Sequence, residues 1–373
     1  MSNSTVFKFT YSPRGGKSAG REMLADTNSK IINEIFGSDV CNVVAKPMGN
    51  SSLLGKFKSL IGWLDGLDPT VAQNCINKIS DNKSDIVYIE GSNYGRLVKL
   101  AKKKVPSCKI VVFFHNVESR FFWGAFKKKP SLHALGVLLA NFLAERLAVI
   151  HSDAIICLTD RDSKLLYRIY GRSGDYIVPI SVFNDPRCDT KLSGKVPALG
   201  QDFGIFVGGA FYANVEAVRW LAKYVAEDLS CQIYILGRGF EDYLDEFSDC
   251  KNIAVIGEVD SLNEWYRRAK FSIAPIFDGS GMKTKVAESL MFGRPILATS
   301  EAFVGYDDVH GKAGLVCNHA QEFVKSIRDI INGSVTFDEE FLKSLYKKNY
   351  SYEAAREKMR FIFSEVASEN LLS

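Results

Sequence analysis

The segment PIFDGSGMKTKVAESLMFGRP, residues 275–295, holds the residues best suited to chemistry. An apolar run ends at Ala274, Gly279 and Gly281 break it, and a helical pattern starts near Lys283. The first N–H groups of a helix lack partners within it and can bind an anion, and glycines let a phosphate come close. Lys283 and Lys285 fall in the first turn, where the helix dipole alone disfavours positive charge. A phosphate ligand resolves that conflict. Glu288, about one turn later, suits hydrogen bonds from ribose hydroxyls. The alternative is a plain glycine turn with two solvated lysines.

Other short patterns carry less. Gly16-Lys17-Ser18 ends like a nucleotide-binding phosphate loop, but that spacing requires glycine where Tyr11 stands, which argues against ATP. Asp160-Arg161-Asp162 has the look of a metal-binding carboxylate pair, yet it follows an apolar run, where Thr159 or Asp160 reads better as a helix cap. Gly237-Arg238-Gly239 is too short for a dinucleotide fingerprint. The eight cysteines form no Cys-x-x-Cys pair and the five histidines no close pair, so no metal site is expected. Several cysteines sit in apolar runs as small buried hydrophobes, which suits a reduced, cytosolic protein.

One surface candidate differs in kind. Arg120, Phe121, Phe122, Trp123, Phe126, Lys127, Lys128 and Lys129 interleave aromatics with cations just before an apolar helix from Leu132. Rings at headgroup level and cations on anionic lipid are what a membrane surface favours. The alternative is a solvated basic loop over a core helix. Nucleic acid fits less well, since no recognised binding module accompanies the charge.

The elements that must position these residues alternate along the chain. Asp85–Ile89, Lys109–Phe114, Asp153–Leu158, Phe203–Val207, Gln232–Leu236, Asn252–Ile256, Phe271–Ala274 and Pro295–Ala298 read as strands, with Val6–Thr10 before them. Most are apolar on successive residues, as in parallel sheets covered by helices on both faces. Helical patterns fall at Tyr94–Lys104, Leu132–Ile150, Val215–Val225 and Lys283–Met291. The alternation breaks between Ile180 and Asp202, a stretch rich in turn formers. The expected fold is therefore α/β, with two doubly wound Rossmann-like domains: 1–180, a linker at 181–202, and 203–373.

At 373 residues, two domains also suit the length. No run of about 18 uninterrupted apolar residues marks a membrane span, and the first residues lack a secretory layout. The net charge of +4 conceals an asymmetry. Residues 1–180 carry 25 Lys and Arg against 15 Asp and Glu, whereas residues 181–373 carry 22 against 28.

Several segments together resemble the family 4 glycosyltransferases of the GT-B fold, in the subgroup with a G-S-G-M-K-T-K-x-x-E-x-L motif. Phe206–Ala217 resembles the strand, glycine loop and Asn-led helix that open that family's second domain. Ile235–Gly239 and Ile256–Val259 resemble its next two glycine turns, Tyr352–Arg356 its final helix, and Phe114–Ser119 its first-domain histidine loop. Two positions depart from the pattern. Ser280 stands where many members carry a glutamate, and Gly209 and Asn214 stand where many carry an Arg…Lys pair. These departures leave the stereochemical outcome open and hand diphosphate neutralisation to Lys283 and Lys285.

The resemblance implies two domains facing each other across a cleft and a sugar transfer from a nucleoside-diphosphate sugar to an acceptor hydroxyl. It implies no cofactor and no metal. The second domain would hold the donor through Gly208, Gly209, Arg238, Gly281, Lys283, Lys285 and Glu288, with Gly15 and Gly16 of the first domain facing its phosphates. The first domain would present the acceptor, and the last helix would pack back on it. His115 would position the sugar or act on the transition state; a lone histidine after a strand is otherwise structural. Glu118 is a second catalytic candidate, as base or orienting partner, or else a partner of Arg120. The expected acceptor is a lipid-linked saccharide or growing bacterial surface glycan (lipopolysaccharide, capsule or exopolysaccharide), met at the anionic inner face of the cell membrane. An epimerase or hydrolase of the same fold, which would consume donor without acceptor, and a non-catalytic nucleotide-sugar-binding protein are the alternatives.

Overall fold

The computed structural model describes residues 4–11, 20–45, 58–183, 196–197, 200–279 and 281–368. Gly15, Gly16 and Ser280 lie outside them, as does most of the 181–202 segment. The chain forms two compact units, Met1–Pro179 with Ala355–Ser373, and Ile180–Ala354.

In unit 1 the order is β1 (Val6–Tyr11), α1 (Gly20–Phe36), β2 (Val40–Ala45), α2 (Pro69–Asp81), β3 (Ile86–Glu90), α3 (Gly95–Lys104) and β4 (Lys109–Phe114). Then follow α4 (Glu118–Lys128), α5 (Leu132–His151), β5 (Ala154–Cys157), α6 (Asp160–Tyr170) and β6 (Tyr176–Ile177). The strands make one parallel sheet in the order β2-β1-β3-β4-β5-β6. Every residue of β3 is buried, because helices cover both faces.

Local chemistry sets the helix ends. Asp68 accepts from Val71 N–H with Pro69 at the first helical position of α2, and Ser131 accepts from Ala134 N–H to start α5. Thr159 caps α6 by accepting from Asp162 N–H, and Gly171 ends it in the left-handed region. The Asp160–Asp162 pattern is thus the first turn of a capped helix.

Residues 120–129, open between a membrane patch and a basic loop in the sequence, form helix α4 up to Lys128. Helix α5 is long and apolar enough to cross a membrane by length and composition, with a mean hydropathy of 1.5. Its inner face, including Leu138, Ala144, Ala148 and Val149, is nevertheless buried, and Leu132, Leu135, Leu139, Phe142 and Ile150 remain exposed outside.

Unit 2 repeats the plan: β7 (Phe203–Val207), α7 (Tyr212–Tyr224), β8 (Gln232–Leu236), α8 (Leu244–Phe247), β9 (Ile253–Gly257), α9 (Asn263–Arg268) and β10 (Phe271–Ala274). Next come α10 (Thr284–Met291), β11 (Ile296–Ala298), β12 (Gly314–Val316), α11 (Ala320–Ile331) and α12 (Glu339–Asn349). Its parallel sheet runs β12-β11-β10-β7-β8-β9. Helix α13 (Tyr352–Ser368) closes the chain, and from Ala355 onward it belongs to unit 1, where Phe363 meets Phe36 and Tyr88.

Candidate functional site

Unit 2 gathers its candidates at the carboxyl ends of β7, β8 and β10, where open parallel sheets bind ligands. The turns after β7 and β8 are pressed together: Gly208 N–H donates to Leu236 O, and Ala210 N–H to Arg238 O, both at 2.9 Å. A Cβ on Gly237 would lie 2.1 Å from Gly208 O, and one on Gly208 2.6 Å from Asn214 Nδ2. Only glycine fits either place. Asn214, in the first turn of α7, donates from Nδ2 to Gly209 O at 2.8 Å. Its Oδ1 accepts from Lys285 Nζ at 2.9 Å, and that ammonium sits 4.2 Å from the centre of the Phe206 ring.

Lys285 is therefore no solvated first-turn lysine. It is 7% exposed, and burial pushes its ammonium down to about 7, with Glu288 pulling the other way and Lys283 adding to the drop. Lys283 stands at the helix boundary, donating from Nζ to Gly281 O at 2.9 Å and to Glu301 Oε1 at 3.1 Å. Its carbonyl accepts from the buried Tyr306 hydroxyl at 2.8 Å. Glu288 accepts from Tyr266 at 3.1 Å, and burial pushes its carboxyl up. The Arg238 side chain is exposed beside this turn.

The structure thus joins Gly208, Gly209 and Lys285 in one network and sets Gly281 and Lys283 at the start of the same helix. Glu301, Tyr306 and the linking role of Asn214 are additions that no local pattern announces. A desolvated cation beside side-chain-free backbone is a cradle for an anion.

In unit 1, His115 follows β4 and its Nε2 contacts Oε1 of Glu90, the last residue of β3. Glu90 is fully buried and His115 nearly so. Glu118 opens α4; its N–H donates to Glu145 Oε1 at 2.8 Å, and Ser119 donates from Oγ and N to Oε2 at 2.6 and 3.2 Å. Tyr170 and Ser92 also donate to Glu145, at 2.8 and 3.1 Å. One fully buried carboxylate on α5 therefore caps α4 from outside, and burial pushes it up. Both glutamates had a faint signal: an acid closing an apolar strand, and the one acid in an apolar helix.

On α4, Trp123 is exposed, Phe126 stacks on it at 6.0 Å, and Lys127 Nζ lies 5.3 Å from its ring. Phe121 and Phe122 are half-buried and meet at 5.1 Å, while Arg120, Lys127, Lys128 and Lys129 are exposed. Among the described residues, no group of three or more His, Cys, Asp or Glu could hold a metal ion.

Residues 202–333 match the family model described as glycosyl transferases group 1. The O-antigen biosynthesis glycosyltransferase WbnH of Escherichia coli is 25% identical over 280 residues, 74% of this chain and 71% of the relative. Among solved structures, the lipopolysaccharide outer core galactosyltransferase WaaB superposes with a TM-score of 0.63 at 14% identity, covering 97% of this chain and 100% of that one. Anabaena HepE in complex with UDP gives 0.66 at 13% identity over 97% and 100% of the two chains. HepE has also been solved with UDP-glucose, at a TM-score of 0.65 and 14% identity over 96% and 99%.

Proposed function

We propose that the chain is a group 1 glycosyltransferase of GT-B fold, moving a sugar from a nucleoside-diphosphate donor to a hydroxyl of a bacterial surface glycan. Unit 2 takes the donor. The observation that carries this reading is Lys285, held between Asn214 and the Phe206 ring beside the bare backbone of Gly208. A diphosphate placed there restores the proton that burial withholds, and the leaving group's growing charge meets a fixed cation and helix N–H groups. Lys283, Gly281, Gly209 and Arg238 complete the cradle, and Glu288 faces the ribose. The relatives solved with UDP and UDP-glucose make those the first ligands to test. A nucleotide-sugar panel scored by thermal shift and nucleotide release tests the assignment, with Lys285→Ala as control. If no donor stabilises the wild type, or the variant responds equally, the assignment fails.

Unit 1 takes the acceptor, with His115 sharing in the transfer, and lies on an anionic membrane at the cytoplasmic face. Three exposed lysines at the end of α4, Trp123 beside them, and the exposed outer apolar residues of α5 support that docking. Flotation with phosphatidylglycerol liposomes should weaken when Lys127, Lys128 and Lys129 become Glu. Unchanged flotation would remove the patch from the mechanism.

A further inference from the structure

The two faces of the unit 1 sheet are built differently. On one, Phe7, Phe9, Val87, Ile89, Val112 and Phe114 form the apolar core. Side chains alternate along a strand, and parallel partners point the same way. Lys8 pairs with Tyr88 and Glu90 with Phe113, so Lys8, Tyr88, Glu90 and His115 share the opposite face. All four are buried, the first three with no exposure at all. A buried charge is costly unless partnered, and a fold that needed only stability would place apolar residues here.

The partners converge on Glu90. His115 Nε2 and Asn28 Nδ2, the latter at 2.9 Å, meet Oε1, and the Tyr88 hydroxyl meets Oε2. Lys8 on the next strand shares this face; its Nζ is held by Ser29 Oγ at 2.6 Å, Asn33 Oδ1 at 2.8 Å and Ser29 O at 3.2 Å, and burial pushes it down while Glu90 pulls it up.

We propose that Glu90 is the positioning residue of His115: it fixes the ring's orientation and tautomer. This rests on the reading that His115 shares in the transfer. With Nε2–H donated to Glu90, the neutral ring carries its lone pair on Nδ1. The titratable groups around the pair are Tyr88 on β3 and Lys8 on β1, with Glu118 three residues beyond His115 at the start of α4.

The test labels histidine rings with ¹⁵N, assigns the His115 signals with His115→Gln, and reads the ring's tautomer from its two nitrogen shifts beside the kinetics of UDP release from UDP-glucose. Glu90→Leu removes the acceptor and should mix the two His115 tautomers, with kcat down about tenfold or more and the donor KM nearly unchanged. Glu90→Gln keeps an acceptor oxygen and should restore the Nε2–H tautomer and most of kcat. A folded Glu90→Leu whose His115 tautomer stays unmixed overturns the proposal. If Glu90→Leu does not fold, the wild-type spectrum decides: a neutral ring with its proton on Nε2 supports the pair, one with its proton on Nδ1 overturns it. Mixed tautomers with an unchanged kcat keep the pair but overturn the share of His115 in the reaction.

Discussion

Replacing Lys285 by methionine should make the ligand-free protein more stable and deaf to donor. Burial brings the Lys285 ammonium from its ordinary 10.5 down to about 7. At about 1.4 kcal/mol per unit, keeping that charge folded costs about 5 kcal/mol below the folded pKa. Methionine removes the cost but also the Asn214 bond and the Phe206 contact, together worth about 3 kcal/mol. The net gain is about 2 kcal/mol, or about 4–8 °C in Tm for a unit of this size. The pH dependence carries the sign. Between pH 7 and the ordinary lysine pKa the unfolded chain binds the proton and the folded one does not, so wild-type stability from this group rises with pH in that window. The advantage of Lys285→Met should therefore be largest near pH 6 and shrink by about 2–3 kcal/mol by about pH 9, where the two proteins become nearly level. Differential scanning calorimetry at both pH values, with and without UDP, reads all of this. A variant that melts below wild type near pH 6, or a difference that ignores pH, would refute the reasoning.

Donor binding should itself take up a proton, because a diphosphate raises the Lys285 pKa. The dissociation constant of UDP should then rise as pH climbs above 7, by up to about tenfold per unit, and calorimetry in buffers of different ionisation enthalpy should count the proton. Tyr306→Phe deletes the bond to Lys283 O and should cost about 1 kcal/mol of stability while weakening UDP, measured by the same titration. Glu145→Leu strands the donors of α4, Ser92 and Tyr170 and should destabilise by about 3 kcal/mol or more in urea unfolding, with faster hydrogen exchange at Glu118 and Ser119.

Central strands were readable nearly to the residue. Lys109–Phe114, Phe203–Val207, Gln232–Leu236 and Phe271–Ala274 take the bounds their apolar runs suggest, since burial on both faces leaves a continuous signal. Edge strand β2 did not, because only partial cover lets Asn42 and exposed Val44 into it. Helix α4 was not distinguished from a loop because the group that caps it, Glu145, lies 27 residues from Glu118. The site divides along the same line. The glycine turns and the two lysines are local patterns. That Lys285 has a buried acceptor depends on Asn214, 71 residues away, and that His115 has a carboxylate partner depends on Glu90, 25 residues away. Sequence spacing shows which groups are available; only the crossing of strands shows which are stripped of water.

The buried charges of this protein also separate by what they serve. Glu145 accepts from two N–H groups at the start of α4 and from three hydroxyls, so its cost is met by bonds the fold itself needs. Lys285 has one side-chain acceptor and a ring, which does not offset its desolvation, and it stands at a strand end where a parallel sheet receives ligands. The same kind of substitution, charge to apolar, should therefore have opposite signs at the two positions: a loss at Glu145 and a gain at Lys285. A residue whose removal stabilises the empty protein is retained for something the empty protein lacks. For Lys285 that missing component is an anion, and the stability difference between wild type and Lys285→Met should reverse once saturating donor is present.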